Sequence, residues 1–159
     1  MSYSAGDRRG PDTKNASTEK TVRTITMVVA AVFVLVGILG FIPGITTNYD
    51  TMTFAGHESN AKLLGIFEVS ILHNIVHLLF GVVGLWAART VRTSVIYLIA
   101  GGVVYLVLWL YGLVIDHDHD ANFIPVNDAD NWLHLGLGVV MVILGVAGAR
   151  ALPRRSTRT

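Results

Sequence analysis

No cysteine occurs in the 159 residues, which excludes disulfides, thiolate metal sites and cysteine nucleophiles together. Charge is scarce as well: 14% of residues are charged, against ~25% in a soluble domain. A net charge of +1 supplies no basic field of the kind that draws nucleic acid. P-loop, dinucleotide fingerprint and Ser/His/Asp arrangement are all missing, so no enzymatic activity is expected. What remains is apolar. Hydrophobic residues make up 52% of the chain, and they fall into long blocks of the kind a bilayer solvates.

Four such blocks cover residues 24–42, 63–88, 93–115 and 131–149. A run of ~20 apolar residues crosses the hydrocarbon core as a helix, because each residue rises ~1.5 Å. The segments are about twice the length of a barrel strand, so an all-α, polytopic four-helix bundle is predicted over 23–151. Residues 1–22, rich in Ser, Thr, Gly and charge, read as a disordered tail, and 152–159 as a basic one that could touch anionic lipid. The polar stretch ahead of the first block, with no cleavage site after it, makes that block an uncleaved anchor.

Arginine and lysine set the orientation. Arg8, Arg9, Lys14, Lys20, Arg23, Arg89, Arg92, Arg150, Arg154, Arg155 and Arg158 fall on one side, and Lys62 alone on the other. Asp50, Glu58, Asp116, Asp118, Asp120, Asp128 and Asp130 share the side of Lys62. Both termini are therefore expected in the cytoplasm, and the protein in a bacterial inner (plasma) membrane. Trp86 and Trp132 fall near opposite boundaries, where amphipathic rings prefer to lie.

The pattern N-x-x-H-L-x-x-G-V-V occurs twice, from Asn74 to Val83 and from Asn131 to Val140. A weaker match links Val32-Phe33 and Gly40 with Val104-Tyr105 and Gly112. Valine, leucine and glycine crowd every membrane helix, and chance would explain those; asparagine and histidine are rare there. Two parallel-repeat helical hairpins are therefore expected. Ser70, Asn74, His77, Gly81, Gly84 and Ala88 alternate in steps of four and three, as do Asn131, His134, Gly138, Met141, Gly145 and Gly148. Such spacing keeps a stripe on one helix face, and both stripes are expected inside the bundle, facing each other directly or across its axis. Ala30/Phe33/Gly37/Gly40 and Gly102/Tyr105/Trp109/Gly112 form similar stripes on the first and third helices.

His73 and His77, four residues apart, lie roughly 40° apart on one helix face. With Asn74, Asp130, Asn131 and His134 they form the candidate polar cluster. The repeat pairs His77 with His134, whereas counting from the inner helix ends pairs His73 with His134. Three imidazoles, His73, His77 and His134, could hold a divalent metal, or two of them a haem. Against this stands hydrogen bonding between His and Asn across helices, which fixes packing without chemistry and needs no cofactor. Glu68 is the one acid inside a predicted span. It is expected at the outer interface, about 140° around the helix from His73. Its alternative is a proton relay. His117 and His119, alternating with Asp116, Asp118 and Asp120, could recruit cations but read more simply as a solvated loop. Asp128 or Asp130 is expected to cap the fourth helix.

Leu63-Leu64-Gly65-Ile66-Phe67, Leu72-His73-Asn74-Ile75-Val76-His77-Leu78-Leu79 with Gly81, and Asp130-Asn131-Trp132-Leu133-His134 resemble the domain-of-unknown-function 4383 family of small bacterial four-helix membrane proteins. The resemblance covers about 24–151 and matches at His73, Asn74, His77, Asp130, Asn131 and His134. It implies a membrane location and assigns no activity. Members of that family often carry an amide and Asn-Pro where this chain has Glu68 and Ser70-Ile71, which leaves Glu68 without a family role. The sequence thus reads as a non-enzymatic accessory or structural envelope component in the lipid bilayer. A homo-oligomer or a membrane-complex partner is possible. The rivals are a metal- or haem-binding redox protein and a small transporter or proton pathway.

Overall fold

The computed structural model describes residues 13–116 and 122–152. Among them are four α-helices: α1 (Thr13–Leu39), α2 (Ile71–Ala87), α3 (Val91–Val114) and α4 (Asp128–Ala151). They pack as a bundle in which α1 pairs mainly with α2, and α3 with α4. Residues 117–121, with His117 and His119, lie outside the described residues, as do 1–12 and the basic tail 153–159.

Helix α1 begins ten residues inside the tail that sequence reads as disordered. Residues 13–36 contain neither Gly nor Pro, and helix propagates readily outward from a stable apolar segment. It ends at Leu39, where the Thr46 hydroxyl donates to the carbonyls of Leu39 and Gly40, both at 3.2 Å. Val91–Val114 and Asp128–Ala151 fall within a few residues of the expected third and fourth helices.

The second apolar block is not one helix. Its first part forms β2 (Lys62–Leu63) and β3 (Phe67–Glu68), which join β1 (Thr46–Thr47) in a small antiparallel sheet of order β1-β2-β3. Leu64 at φ 55° and Gly65 at φ 72° make the turn between β2 and β3. Glycine adopts that left-handed conformation freely, and leucine at a cost of roughly 1–2 kcal/mol. Hydropathy marks this run as buried but not by what: Leu63 and Val69 pack on Val36, Leu39 and Ile45, beside the end of α1. Helix α2 therefore starts at Ile71, after Ser70 caps it by accepting from the His73 amide at 3.1 Å. The carbonyls of Thr53 and Phe54 accept from the next two free amides, Ile71 and Leu72.

Among the described residues, three helices are long and apolar enough to cross a membrane: Ala16–Leu39, Val91–Val114 and Asp128–Arg150. Helix α2, with 17 residues, rises about 25 Å. The outward faces of all four helices carry large exposed apolar side chains, among them Leu35, Leu79, Val107 and Ile143. Water would not tolerate such continuous surface, but acyl chains do. Trp86 and Trp132 are exposed as well, near opposite ends of the bundle. Inside, Phe33, Tyr97, Leu98, Tyr105 and Met141 form the core.

Candidate functional site

Every member of the two predicted polar-and-small stripes is buried: Ser70, Asn74, His77, Gly81, Gly84 and Ala88, and Asn131, His134, Gly138, Met141, Gly145 and Gly148. Their partners differ from expectation. Gly81, Gly138 and Gly145 face the other helix of their own pair rather than each other, while Gly84 meets both Tyr97 of α3 and Ala30 of α1, and Gly148 meets Val22 of α1. A Cβ on Gly81 would come within 2.8 Å of the Ala30 carbonyl, and one on Gly138 within 3.0 Å of the Gly102 carbonyl. Close approach is helped by small residues on both sides, and α1 offers Ala30, Gly37 and Gly40 and α3 offers Gly102 and Gly112 to these pairs.

The two asparagines serve this packing in the same way. The Asn74 amide lies over Gly40 and the Asn131 amide over Gly112, each filling the space that a glycine Cβ would need. Asn131 Nδ2 donates to the Gly112 carbonyl at 2.9 Å, and Asn74 Nδ2 lies 3.9 Å from the Met52 sulfur. Among the described residues, no hydrogen bond reaches either Oδ1 atom or the Nδ1 atoms of His73, His77 and His134. Amide–imidazole pairing through these atoms, expected from sequence, is not made. The asparagines hold helices together; the imidazoles are buried beside them.

Those imidazoles do converge, through aromatic rings. His73 and His77 stand edge to face with centroids 4.6 Å apart, and His77 lies 5.8 Å from Phe33. Phe33 stacks on Tyr105 at 5.4 Å, and Tyr105 meets His134 at 5.3 Å. Phe33 and Tyr105 occupy matched positions of the repeat, as do His77 and His134, so the group has matching halves about the Phe33–Tyr105 stack. The repeat's pairing of His77 with His134 matches these two halves, and His73 lies one turn from His77 on the same helix. Exposure of the three histidines is 4%, 9% and 4% in chain order.

Crevices border this group on several sides, among them one of about 210 Å³ lined by Val32, Phe33, His77 and Leu133, and two related by the repeat. One, of about 180 Å³, lies between α2 and α3 and is lined by His73, Val76, His77, Leu108, Tyr111 and His134, with Phe123, Ile124 and Val126 at its end. The other, of about 110 Å³, lies between α4 and α1 and is lined by Asp130, Leu133, His134, Val36 and Leu39, with His73, His77 and Tyr105 behind them. Their walls correspond through the repeat: His73 with Asp130, Val76 with Leu133, His77 with His134, Leu108 with Val36, Tyr111 with Leu39. The second crevice is covered by Leu63, Phe67 and Val69 of the sheet region.

Asp130 explains that cover. It is the third residue of α4, in a capping box whose cap is Asn127, not Asp128 or Asp130 as the sequence suggested. Its Oδ2 accepts from the amides of Asn127 at 3.1 Å and Glu68 at 3.0 Å, while Asn127 Nδ2 donates to the Ile66 carbonyl at 2.8 Å. One carboxylate thus starts a helix and ties down the sheet. Glu68 lies on β3, outside α2, so the helical angle relating it to His73 does not apply. Among the described residues, no group of three or more His, Asp or Glu side chains is arranged to hold a metal ion. Sequence reasoning passed over Tyr111, Leu108 and Phe123 as lining, although the first two lie within the repeat match that runs from Val104 to Gly112.

A helical bundle with lipid-exposed apolar faces and its polar residues packed inside defines the class: an integral membrane protein. Residues 23–147 match the family described as Domain of unknown function (DUF4383), and the chain belongs to that bacterial membrane family. Neither a curated protein nor a solved structure matches it.

Proposed function

We propose that the protein is a non-enzymatic accessory or structural component of the bacterial inner membrane. In this reading it is built from two parallel-repeat hairpins that cross the bilayer four times, with both termini in the cytoplasm. One observation carries the repeat: Asn74 on Gly40 and Asn131 on Gly112 are the same contact at matched positions. Chance similarity of apolar helices would not reproduce an asparagine-on-glycine contact in both pairs. The crossing by α2 is favoured by its length, at the short end of the ~17–25 residues that span a bilayer.

The distribution of charge supports the orientation. Arg23 Nε donates to the Ala88 carbonyl at 2.9 Å, which brings the end of α2 beside α1 ten residues after that helix begins. Arg89, Arg92 and Arg150 belong to that same end, while Asp50, Glu58, Asp128 and Asp130 belong to the sheet end. A further copy, or another membrane protein, would dock on the outward apolar faces. Below the imidazoles the buried stripes are Gly, Met and Ala, which supports packing over a continuous proton or solute path.

Because the chain has no native cysteine, single cysteines report topology directly. Asp50→Cys is expected to react with a membrane-impermeant maleimide in intact cells, and Arg92→Cys only after lysis. The reverse pattern would overturn the orientation, and labelling of both in intact cells would overturn the fourfold crossing. For the rival metal or haem reading, purified protein would carry stoichiometric metal or a Soret band, and either result would displace the packing role.

A further inference from the structure

We propose that the groove between α2 and α3 at the arginine end of the bundle binds one anionic phospholipid, with an acyl chain in the groove and the phosphate at Arg89 and Arg92. The site rests on the crossing of the bilayer by α2, and not on which side the termini face.

Helices α2 and α3 belong to different pairs and are joined by the short link 88–90, beyond which they part. The groove this leaves measures about 310 Å³ and is lined by Phe80, Val83, Trp86, Ile96, Tyr97 and Val104. From Thr93 at the link end to Val104 at the far end, α3 rises about 16 Å. Half of a ~30 Å hydrocarbon core is ~15 Å, so the groove is one leaflet long. Its lining is apolar in effect as well as in composition. The Tyr97 hydroxyl donates to the Phe80 carbonyl at 3.2 Å, and the Thr93 hydroxyl to the Ala87 carbonyl at 2.5 Å. Val83, Trp86, Ile96 and Val104 are exposed on the outer surface, where the bilayer lies. An acyl chain suits such walls, and a polar solute does not.

The repeat makes the groove particular to this side. At positions matched to Ala87, Ala100 and Gly101, α4 and α1 carry the larger Leu144, Val28 and Val29. The crevice between α1 and α4 accordingly begins at Val28, about two turns further from this end than the match of Thr93. Charge then selects the head group. Arg89 lies in the link and Arg92 one turn before Ile96, and both are exposed. Residues 69–115 contain no acid, so nothing on α2 or α3 neutralises them. Guanidinium groups bind phosphate through paired hydrogen bonds. A zwitterionic lipid would bring its own ammonium to the same arginines. A second copy of the chain seated in the groove about a twofold axis would bring both pairs of arginines together, and like charge opposes that.

Trp86 can report the occupant. The full-length protein carrying Trp109→Phe and Trp132→Phe is placed in vesicles of equal phosphatidylglycerol and phosphatidylethanolamine, with bromine on the acyl chains of one lipid or the other. Bromine quenches an indole only at contact. Brominated phosphatidylglycerol is expected to quench Trp86 as though enriched about tenfold beside it, the gain that two arginines give with an anionic lipid. Arg89→Gln with Arg92→Gln should remove the preference. Ala100→Phe, which fills the groove and keeps both arginines, should remove it too, and this separates a site from diffuse attraction. Val28→Phe, at the matched position, should leave it unchanged. Should the arginine variant lose its fold, the two phenylalanine variants at exposed positions decide alone. Equal quenching by both lipids, or a preference that survives Ala100→Phe, would overturn the site alone. No quenching by either lipid would give the groove to a second copy if the protein cross-links as a dimer, and would overturn the crossing by α2 if it does not.

Discussion

His73 and Asp130 stand at matched places in the two halves of the bundle, and each half uses its residue differently. Asp130 accepts from two backbone amides, one in its own helix start and one in the sheet, and the crevice beside it is covered. His73 gives its backbone amide to a cap, Ser70, its ring is held by the backbone of Pro125 and Glu68, and the crevice beside it is bordered by Val76 and Val107 on the outer surface. A carboxylate near a helix start is drawn to free amides, because it relieves unpaired donors and meets the positive end of the helix dipole. A neutral imidazole has no such pull. One substitution between repeats therefore separates a half whose carboxylate ties down the sheet from a half whose histidine does not.

The difference can be broken most severely where the helices touch. At matched positions α1 has Ala30 and α3 has Gly102, so α3 and α4 tolerate even less bulk. A Cβ on Gly102 would lie 2.8 Å from the Gly138 carbonyl and 2.9 Å from the Val142 amide nitrogen. Gly102→Leu is expected to cost about 3 kcal/mol, read as a large fall in the denaturation midpoint in detergent. A midpoint within error of wild type would mean that α3 and α4 are not so close.

Asp130→Ala should come next. Leaving the amides of Glu68 and Asn127 without their acceptor costs about 2 kcal/mol, and the cover should loosen locally. Hydrogen exchange at the Glu68 amide is expected to quicken while amides in α2 keep their protection; unchanged exchange would show that the sheet holds by other contacts. The smallest effect belongs to Gly136, where an added Cβ meets nothing within 4 Å. Gly136→Ala should stabilise by up to about 1 kcal/mol through helix propensity. A clear loss there would mean that another segment packs against α4 at this point.

Much of the bundle is legible in the amino-acid sequence alone. The three-and-four spacing of Asn131, His134, Gly138, Met141, Gly145 and Gly148 picks out a set of positions that is buried throughout. It works because a helix has one period, and lipid rejects polar and small residues less strongly than the interior recruits them. The start of α2 is not legible in the same way, since Leu63, Ile66, Phe67 and Val69 satisfy a hydropathy count whether they face lipid or α1. The turn at Leu64-Gly65 is the available clue, and glycine is too common in membrane helices to weigh much. The facing of the stripes also escapes, because spacing says which residues share an edge and not which helix that edge meets.

Hydropathy, periodicity and the placement of arginine by themselves determined a membrane bundle, its buried edges and its matched Asn/His segments, since these depend on local free energies summed along the chain. Only the tertiary structure decided that asparagine would sit on glycine within each pair, that Asp130 would tie down the sheet, and that three imidazoles would share one aromatic centre. Those outcomes depend on which helix lies beside which, and that is settled by complementary shape between segments distant in sequence.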